Sequence, residues 1–432
     1  MADPWTSGSP LFNADGAYVF NRLVEFLRAQ HAEQGYSEVV TPTIYKKSLW
    51  ERSGHWENYA QDMFSVVGRG ATGTTKDGEV GEDEEFGLKP MNCPGHCVLF
   101  SNRTWSHREL PVRYADFSPL HRNENSGSLR GLTRVRRFHQ DDGHIFCTPE
   151  QIKDEILKEL SFVRMVYQTF DLPPFNLVLS TKPTDGSAIG EDSQWSTAES
   201  HLKQALEDSG LPWKLNPGDG AFYGPKIDIQ IPDNTRYGEP LQAATIQLDF
   251  QLPQRFELSY KDADQKSHRP VMIHRAAFGS IERFMHILMT RTHGAPDYKT
   301  KPLPFWLTPR PIIIFTLNDK PEIVNYAFKV HDILHGRTPG PSTSPQPLNT
   351  LRLPITLDTR GISLSAKIGE ARLKGFHFGA VVGHNELDEG TVALKVWHRT
   401  EKVSYNEKGA PGASLKVDQA RRMFEALCEN WM

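Results

Sequence analysis

Near the N-terminus the apolar positions Val19, Phe20, Leu23, Phe26 and Leu27 recur at helical spacing behind the capping residues Asn13 to Asp15. This predicts an amphipathic helix with one face in a core. Gly35 ends the pattern, and Tyr36 to Val40 is β-prone and closed by Thr41-Pro42. Proline suits a strand end or an edge, so a long helix feeding an edge strand is predicted, a plausible surface for a second copy of the chain. Further on, Ile227 to Ile231 followed by Ala244 to Phe250 reads as a hairpin-like pair, and the first 300 residues read as strand-rich α+β. The segment GAPDYKTKPL, Gly294 to Leu303, interrupts the pattern. Beyond it come a strand at Ile312 to Thr316, a helix around Val324 to Leu334, strands at Phe376 to Val382 and Thr391 to Trp397, and a helix from Val417 to Leu427. Such alternation predicts a compact α/β module, giving domains at 1–300 and 301–432.

Composition agrees with more than one domain: 432 residues, 38% hydrophobic and 24% charged, with no apolar run approaching a membrane span. The opening MADPWTSGSP is neither a secretory signal nor Arg-rich enough for a transit peptide, and is read as a mature or trimmed form. Four cysteines argue for a reducing compartment or metal ligation over a disulfide framework. A net charge of -4 argues against a polyanionic partner until it is split along the chain. Six acids, Asp77, Glu79, Glu82, Asp83, Glu84 and Glu85, lie in one Gly/Thr-rich stretch read as an exposed loop, whereas from Trp306 onward 16 Lys+Arg face 13 Asp+Glu. A second low-complexity stretch, GRTPGPSTSPQP from Gly336, reads as a surface insertion.

The densest chemical signal is HRNENSGSLRGLTRVRRFHQDDGHIF, with Arg122, Arg130, Arg134, Arg136 and Arg137 around a Gly/Ser turn. Arginine forks suit phosphate, and a solvated basic hairpin is the bland alternative. Arg136, Phe138, Gln140 and Asp142 share one face at period two, a series poor as core and good as a pocket. Cys93, His144 and His274 are spaced too widely to be read as a metal site by pattern, and a lone buried Cys or His is more often core.

HRNE with its SGSLRGLTRVRRF loop resembles motif 2 of the class II aminoacyl-tRNA synthetases, and HRAAFGSIERFMHIL resembles their motif 3. The blocks MNCPGH, DDGHIF, AFYGPK and SGHWENY narrow the resemblance to threonyl-tRNA synthetases, over essentially the whole chain. The resemblance implies an antiparallel sheet flanked by helices, then an α/β anticodon-binding domain, assembled as a homodimer through the N-terminal helix and edge strand. It implies an ATP site of Arg122, Glu124, Arg134, Phe138, Gln242, Thr245 and Arg283, with Arg283 on the γ-phosphate and Arg122 bridging the α-phosphate and the amino-acid carboxylate. Two anions meet in that reaction, which is why the arginines, and Mg2+ with ATP, are needed. Cys93, His144 and His274 match the ligands of one Zn2+ per subunit, left open for the amino group and hydroxyl of L-threonine, with Met91, Gln140, Asp142, Tyr223 and Gln247 around the substrate.

His55 matches a histidine proposed in the family to help deprotonate the tRNA 2′-hydroxyl, an imidazole titrating near 6.5 when unperturbed, with packing on Trp56 as the alternative. Arg130 is expected on the tRNA backbone, and Arg360, Lys367 and Arg372 on its anticodon region. Valine lacks the hydroxyl that the metal reads, whereas serine lacks only a methyl, worth roughly 10- to 200-fold. The chain begins at the catalytic domain, so two expectations stand: serine errors are handled elsewhere, the active site before transfer included, or an editing domain was removed. Lack of editing and TGS domains resembles fungal mitochondrial members, which implies the mitochondrial matrix, with the cytoplasm as alternative and no membrane association. Ala243 stands where bacterial members commonly have Cys. A seryl or prolyl enzyme and a non-catalytic RNA-binding paralogue are the rival readings; the Cys93, His144 and His274 set argues against both.

Overall fold

The computed structural model divides into two compact units, Met1–Lys299 and Thr300–Met432. It describes residues 3–68, 85–231, 240–290, 302–337, 353–397 and 414–432. Nearly all of the acidic stretch, most of the segment 294–303 and all but the first two residues of the Pro/Ser-rich insertion lie outside the described residues.

The first unit is organised by a sheet of eight strands: β1 (Ser37–Glu38), β2 (Val112–Asp116), β3 (Asp142–Cys147), β4 (Asn176–Ser180), β5 (Trp213–Asn216), β6 (Lys226–Ile231), β7 (Leu241–Asp249) and β8 (Val271–Ala276). Their spatial order is β1-β2-β3-β8-β7-β6-β4-β5. All pairings are antiparallel except β1 with β2 and β4 with β5 at the two edges. The predicted N-terminal helix is α1 (Ala14–Glu33), capped by the Asn13 side chain, with Val19, Leu23, Phe26 and Leu27 buried. The edge strand after it is shorter than predicted, two residues, and Val40 is 84% exposed.

Side chains alternate across the sheet, which separates its faces by chemistry. Ile145, Ile227, Ile229, Ile246, Leu248 and Ile273 are fully buried, and α3 (Ile152–Thr169) packs on β7 and β8. On that side lies one buried ion cluster. Arg275 sits between the rings of Tyr36 and Phe162, 4.7 and 4.6 Å from their centroids. Its guanidinium meets Glu159 at 2.7 Å and Asp141 at 3.2 Å, and Tyr36 donates to Glu159 at 2.6 Å. Removing one partner of a buried charge cluster strands the others in a low dielectric. Arg275→Met is therefore expected to lower stability by about 3–5 kcal/mol, read as a shifted midpoint in urea unfolding.

The arginine-rich segment departs from the single strand predicted over 136–142. Arg137–His139 pairs with Pro119–His121 in a separate two-stranded hairpin, and the chain enters the main sheet only at Asp142. The carboxylate of Asp141, at the join, accepts from the backbone of Ala277 at 2.8 Å and Phe278 at 2.9 Å, which turns the chain there. Arg136 leaves the face it was assigned: it donates to the carbonyls of Glu124 and Ser7 and to Ser126, stitching the N-terminal segment to the hairpin.

The second unit has a sheet of β9 (Ile312–Thr316), β10 (Ile355–Asp358), β11 (Phe378–Val382), β12 (Thr391–Val396) and β13 (Ser414–Lys416), in the order β10-β9-β11-β12-β13. The three strands β10, β9 and β11 run parallel, and β9, buried at all five positions, is the continuous apolar run expected of a central parallel strand. Helices Pro321–His335 and Val417–Glu429 lie close to the ranges predicted for them.

Candidate active site

Strand register assembles the site. His144 pairs directly with His274, His274 with Gln247, and Gln247 with Lys226, so one row crosses β3, β8, β7 and β6. Two residues further along β7 and β6, Thr245 pairs with Asp228. Cys93 arrives from outside the sheet, at the start of α2 (Cys93–Ser101), where Pro94 occupies the first turn and lacks the N–H that a helix start leaves unpaired. The donors of Cys93, His144 and His274 lie within 4.8 Å of one another, and all three residues are buried.

These donors suit zinc. Nε2 of His144 and Nδ1 of His274 face each other at 3.0 Å. Two tetrahedral ligands at normal Zn–N lengths are separated by about 3.3 Å. One sulfur and two imidazoles leave the fourth direction open to the cavity that all three residues line. The ligands are oriented from behind. Asp249, whose other oxygen accepts from the backbone of Gln251 and Leu252, takes the Nε2–H of His274 at 2.9 Å and so leaves Nδ1 free to ligate.

The cavity measures about 520 Å³, within the range of small-molecule sites, and combines this donor set with the arginines. Met91, Arg122, Glu124, Arg134, Phe138, Gln140, Asp142, Tyr223, Gln242, Thr245, Gln247 and Arg283 all line it. Beside the donors, Tyr223 stacks on His274 at 5.0 Å and hydrogen-bonds Gln247. Asp142 accepts from Asn92 at 3.0 Å, and burial pushes its carboxyl upward. At the other end, Arg122 lies 4.9 Å over the Phe138 ring, and Phe138 packs with Leu120 and Val135. Arg283, in the helix Ile281–Thr290, donates to the carbonyls of Thr133 at 3.1 Å and Gln242 at 2.9 Å. Burial, then the charges of Arg122 and Arg134, oppose its own positive charge. Glu124 is tied to Arg134 at 2.8 Å. Three guanidinium groups around one carboxylate make a basin for an anion.

His55 is not among the residues that line the cavity. It is fully buried, contacts Met91 Sδ at 3.3 Å and Ser53 at 2.8 Å, and packs on Trp50 and Phe222, not on Trp56. Burial, with His274 and Arg122 nearby, brings its pKa down to about 3, which weakens it as a base. Sequence reasoning also passed over Lys226, Asp228 and Asp249. Lys226 meets Asp228 at 3.0 Å, and Asp228 accepts from Ser180, Thr245 and Gln242. The signal was present: Lys226 and Asp228 alternate in GPKIDI, and Asp249 is two residues beyond Gln247.

In the second unit Lys367 is likewise corrected. Its ammonium is buried and donates to the Thr316 carbonyl at 2.8 Å and the Asp358 carbonyl at 3.3 Å, closing the ends of β9 and β10. It is not available to a phosphate. Lys367→Met is expected to cost about 1.5–3 kcal/mol in urea unfolding and to leave the salt dependence of tRNA binding unchanged. Arg360 is held by Asp358 and Glu370 at 2.6 and 2.8 Å, whereas Arg372 is exposed in the last turn of the helix Leu364–Leu373. Arg130 is exposed on the hairpin of the first unit.

Residues 76–292 match the family model of the class II tRNA synthetase core domain (G, H, P, S and T), and residues 312–412 match that of the anticodon-binding domain. The fold and site thus define a class II aminoacyl-tRNA synthetase. The mitochondrial threonine–tRNA ligase of Saccharomyces cerevisiae is 47% identical over 90% of this chain and 82% of its own length. A probable mitochondrial counterpart in Schizosaccharomyces pombe is 45% identical over 97% and 85%. The crystal structure titled as the RNA-binding domain of threonyl-tRNA synthetase from Cryptosporidium parvum superposes with a TM-score of 0.82 at 39% identity, covering 99% of this chain and 95% of that one. The chain belongs to the threonine–tRNA ligase family.

Proposed function

We propose that the chain activates L-threonine with ATP to threonyl-adenylate and pyrophosphate, then transfers the threonyl group to the 3′ end of threonine tRNA. The observation that carries this is the convergence of Cys93, His144 and His274 in the wall of the cavity that Arg122 and Arg283 also line. A carboxylate oxygen of threonine forms a bond to the α-phosphorus as the bond to pyrophosphate breaks. Arg122 spans the two anions that approach, and Arg283 takes the far phosphates, with Mg2+ carried in on ATP. Phe138 stacks under the adenine, and Glu124, Gln242 and Thr245 complete its surroundings. Cys93, His144 and His274 hold Zn2+, which when bound supplies a Lewis-acid position for the amino and hydroxyl groups of threonine. Asp142, fixed by Asn92, accepts from that hydroxyl, and Met91, Gln140, Tyr223 and Gln247 close the pocket around the side chain.

The exposed Arg130 and Arg372 contact tRNA. Two copies associate through α1 and the edge strand β1, and the protein works in mitochondria, a reading supported by the two fungal relatives, although cytoplasmic mammalian ligases are also 47% identical. Among the described residues no helix is long and apolar enough to cross a membrane. Charging of a threonine tRNA transcript with labelled threonine tests the reaction. Acid-precipitable, alkali-labile label on the RNA supports it, and none, with metal-replete protein and ATP, refutes it.

A further inference from the structure

The two imidazoles facing each other in the site are supported differently: His274 by the carboxylate of Asp249, His144 by another histidine. Nδ1 of His144 lies 2.8 Å from Nδ1 of His96, and both residues are fully or almost fully buried. His96 stands one helical turn from Cys93 in α2, and its Nε2 lies 3.6 Å from Asp116. Among the described residues that nitrogen has no hydrogen-bond partner within normal distance. Asp116 is fully buried and fixed by Thr41 at 2.6 Å and by the backbone of Ser118 at 2.7 Å, with Lys89 at 3.8 Å.

From this geometry we infer that His96 is a positioning residue that sets the tautomer of His144, with Asp116 setting that of His96 in turn. The inference rests on the metal reading above. For His144 to offer a lone pair at Nε2 its proton must sit on Nδ1, and the atom facing that proton, Nδ1 of His96, must accept. His96 then carries its own proton on Nε2, toward the acceptor-only carboxylate of Asp116. Every proton in the row is thereby assigned, and no other arrangement gives His144 both a free Nε2 and a partner at Nδ1.

Outer partners of metal-bound histidines typically account for about 10- to 100-fold in metal affinity. Zinc affinity, measured by chelator competition, should fall by about that factor in His96→Phe. It should be largely retained in His96→Gln, whose amide oxygen restores an acceptor. The absorption spectrum of the cobalt-substituted protein should change in the first variant and not in the second. Equal affinities for His96→Phe and the unsubstituted protein, or equal losses in both variants, overturn the inference. A measurement independent of how the variants fold uses zinc-loaded, unsubstituted protein labelled with 15N-histidine. His96 should carry its proton on Nε2 and His144 on Nδ1; a proton on Nδ1 of His96 overturns the relay with the metal in place. Protein that binds no zinc at all overturns the metal reading itself, a separate failure.

Discussion

Cys93→Ser should emerge with zinc falling from about one atom per chain to almost none, and with threonine-dependent pyrophosphate exchange reduced by more than about 100-fold, beyond the usual effect of losing an outer partner. The thiol is the one sulfur among three converging donors, and serine leaves a neutral hydroxyl that binds zinc poorly. ATP affinity should change little, because the nucleotide end of the cavity rests on Arg122, Phe138 and Arg283, none of which, among the described residues, hydrogen-bonds Cys93, His144 or His274. Metal analysis and isothermal titration with ATP, made on the same preparation, separate the two ends. Loss of both threonine activation and ATP binding would mean that Cys93 holds the fold and not the substrate.

Arg122→Ala and Arg283→Ala should each lower the rate constant for adenylate formation by about 10²–10³-fold while zinc stays at one atom per chain. Each removes a fixed positive charge from the place where negative charge gathers. Lysine should restore little at either position, since an ammonium does not reproduce the planar fork. The double variant should lose less than the product of the single losses, because the two guanidinium groups share one anion and already oppose each other's charge. Single-turnover measurement with purified variants reads these ratios directly. Rates within about threefold of the parent for either alanine variant would remove that arginine from the phosphate site, threefold being well below the loss of a single fixed donor.

Much of this is readable from the chain, and what is not has physical causes. The buried strand Ile312–Thr316 and the helices of the second unit follow from local apolar runs, and local patterns survive folding. Long-range register does not show in spacing. His144 and His274 lie 130 positions apart and meet only because β3 and β8 pair with those two residues opposite. The chain bend at Asp141 is tertiary too, set by backbone amides at 277 and 278, so a period-two reading ran straight through it and assigned Arg136 to the wrong face. His55 and Lys367 show a third limit: residue type alone does not give charge or basicity, because burial changes both. Lys367 donates its ammonium to strand-end carbonyls, and His55 is enclosed by Trp50, Phe222 and Met91.

The central claim is that one cavity selects threonine at its buried donor set and activates it at its arginines. Amino-acid-dependent ATP–pyrophosphate exchange by zinc-replete protein tests it most directly, with threonine, serine, valine and proline compared side by side. The prediction is rapid exchange with threonine, exchange with serine lower by roughly 10- to 200-fold, and none with valine or proline. Exchange with valine approaching that with threonine, or none with any of the four, would contradict it.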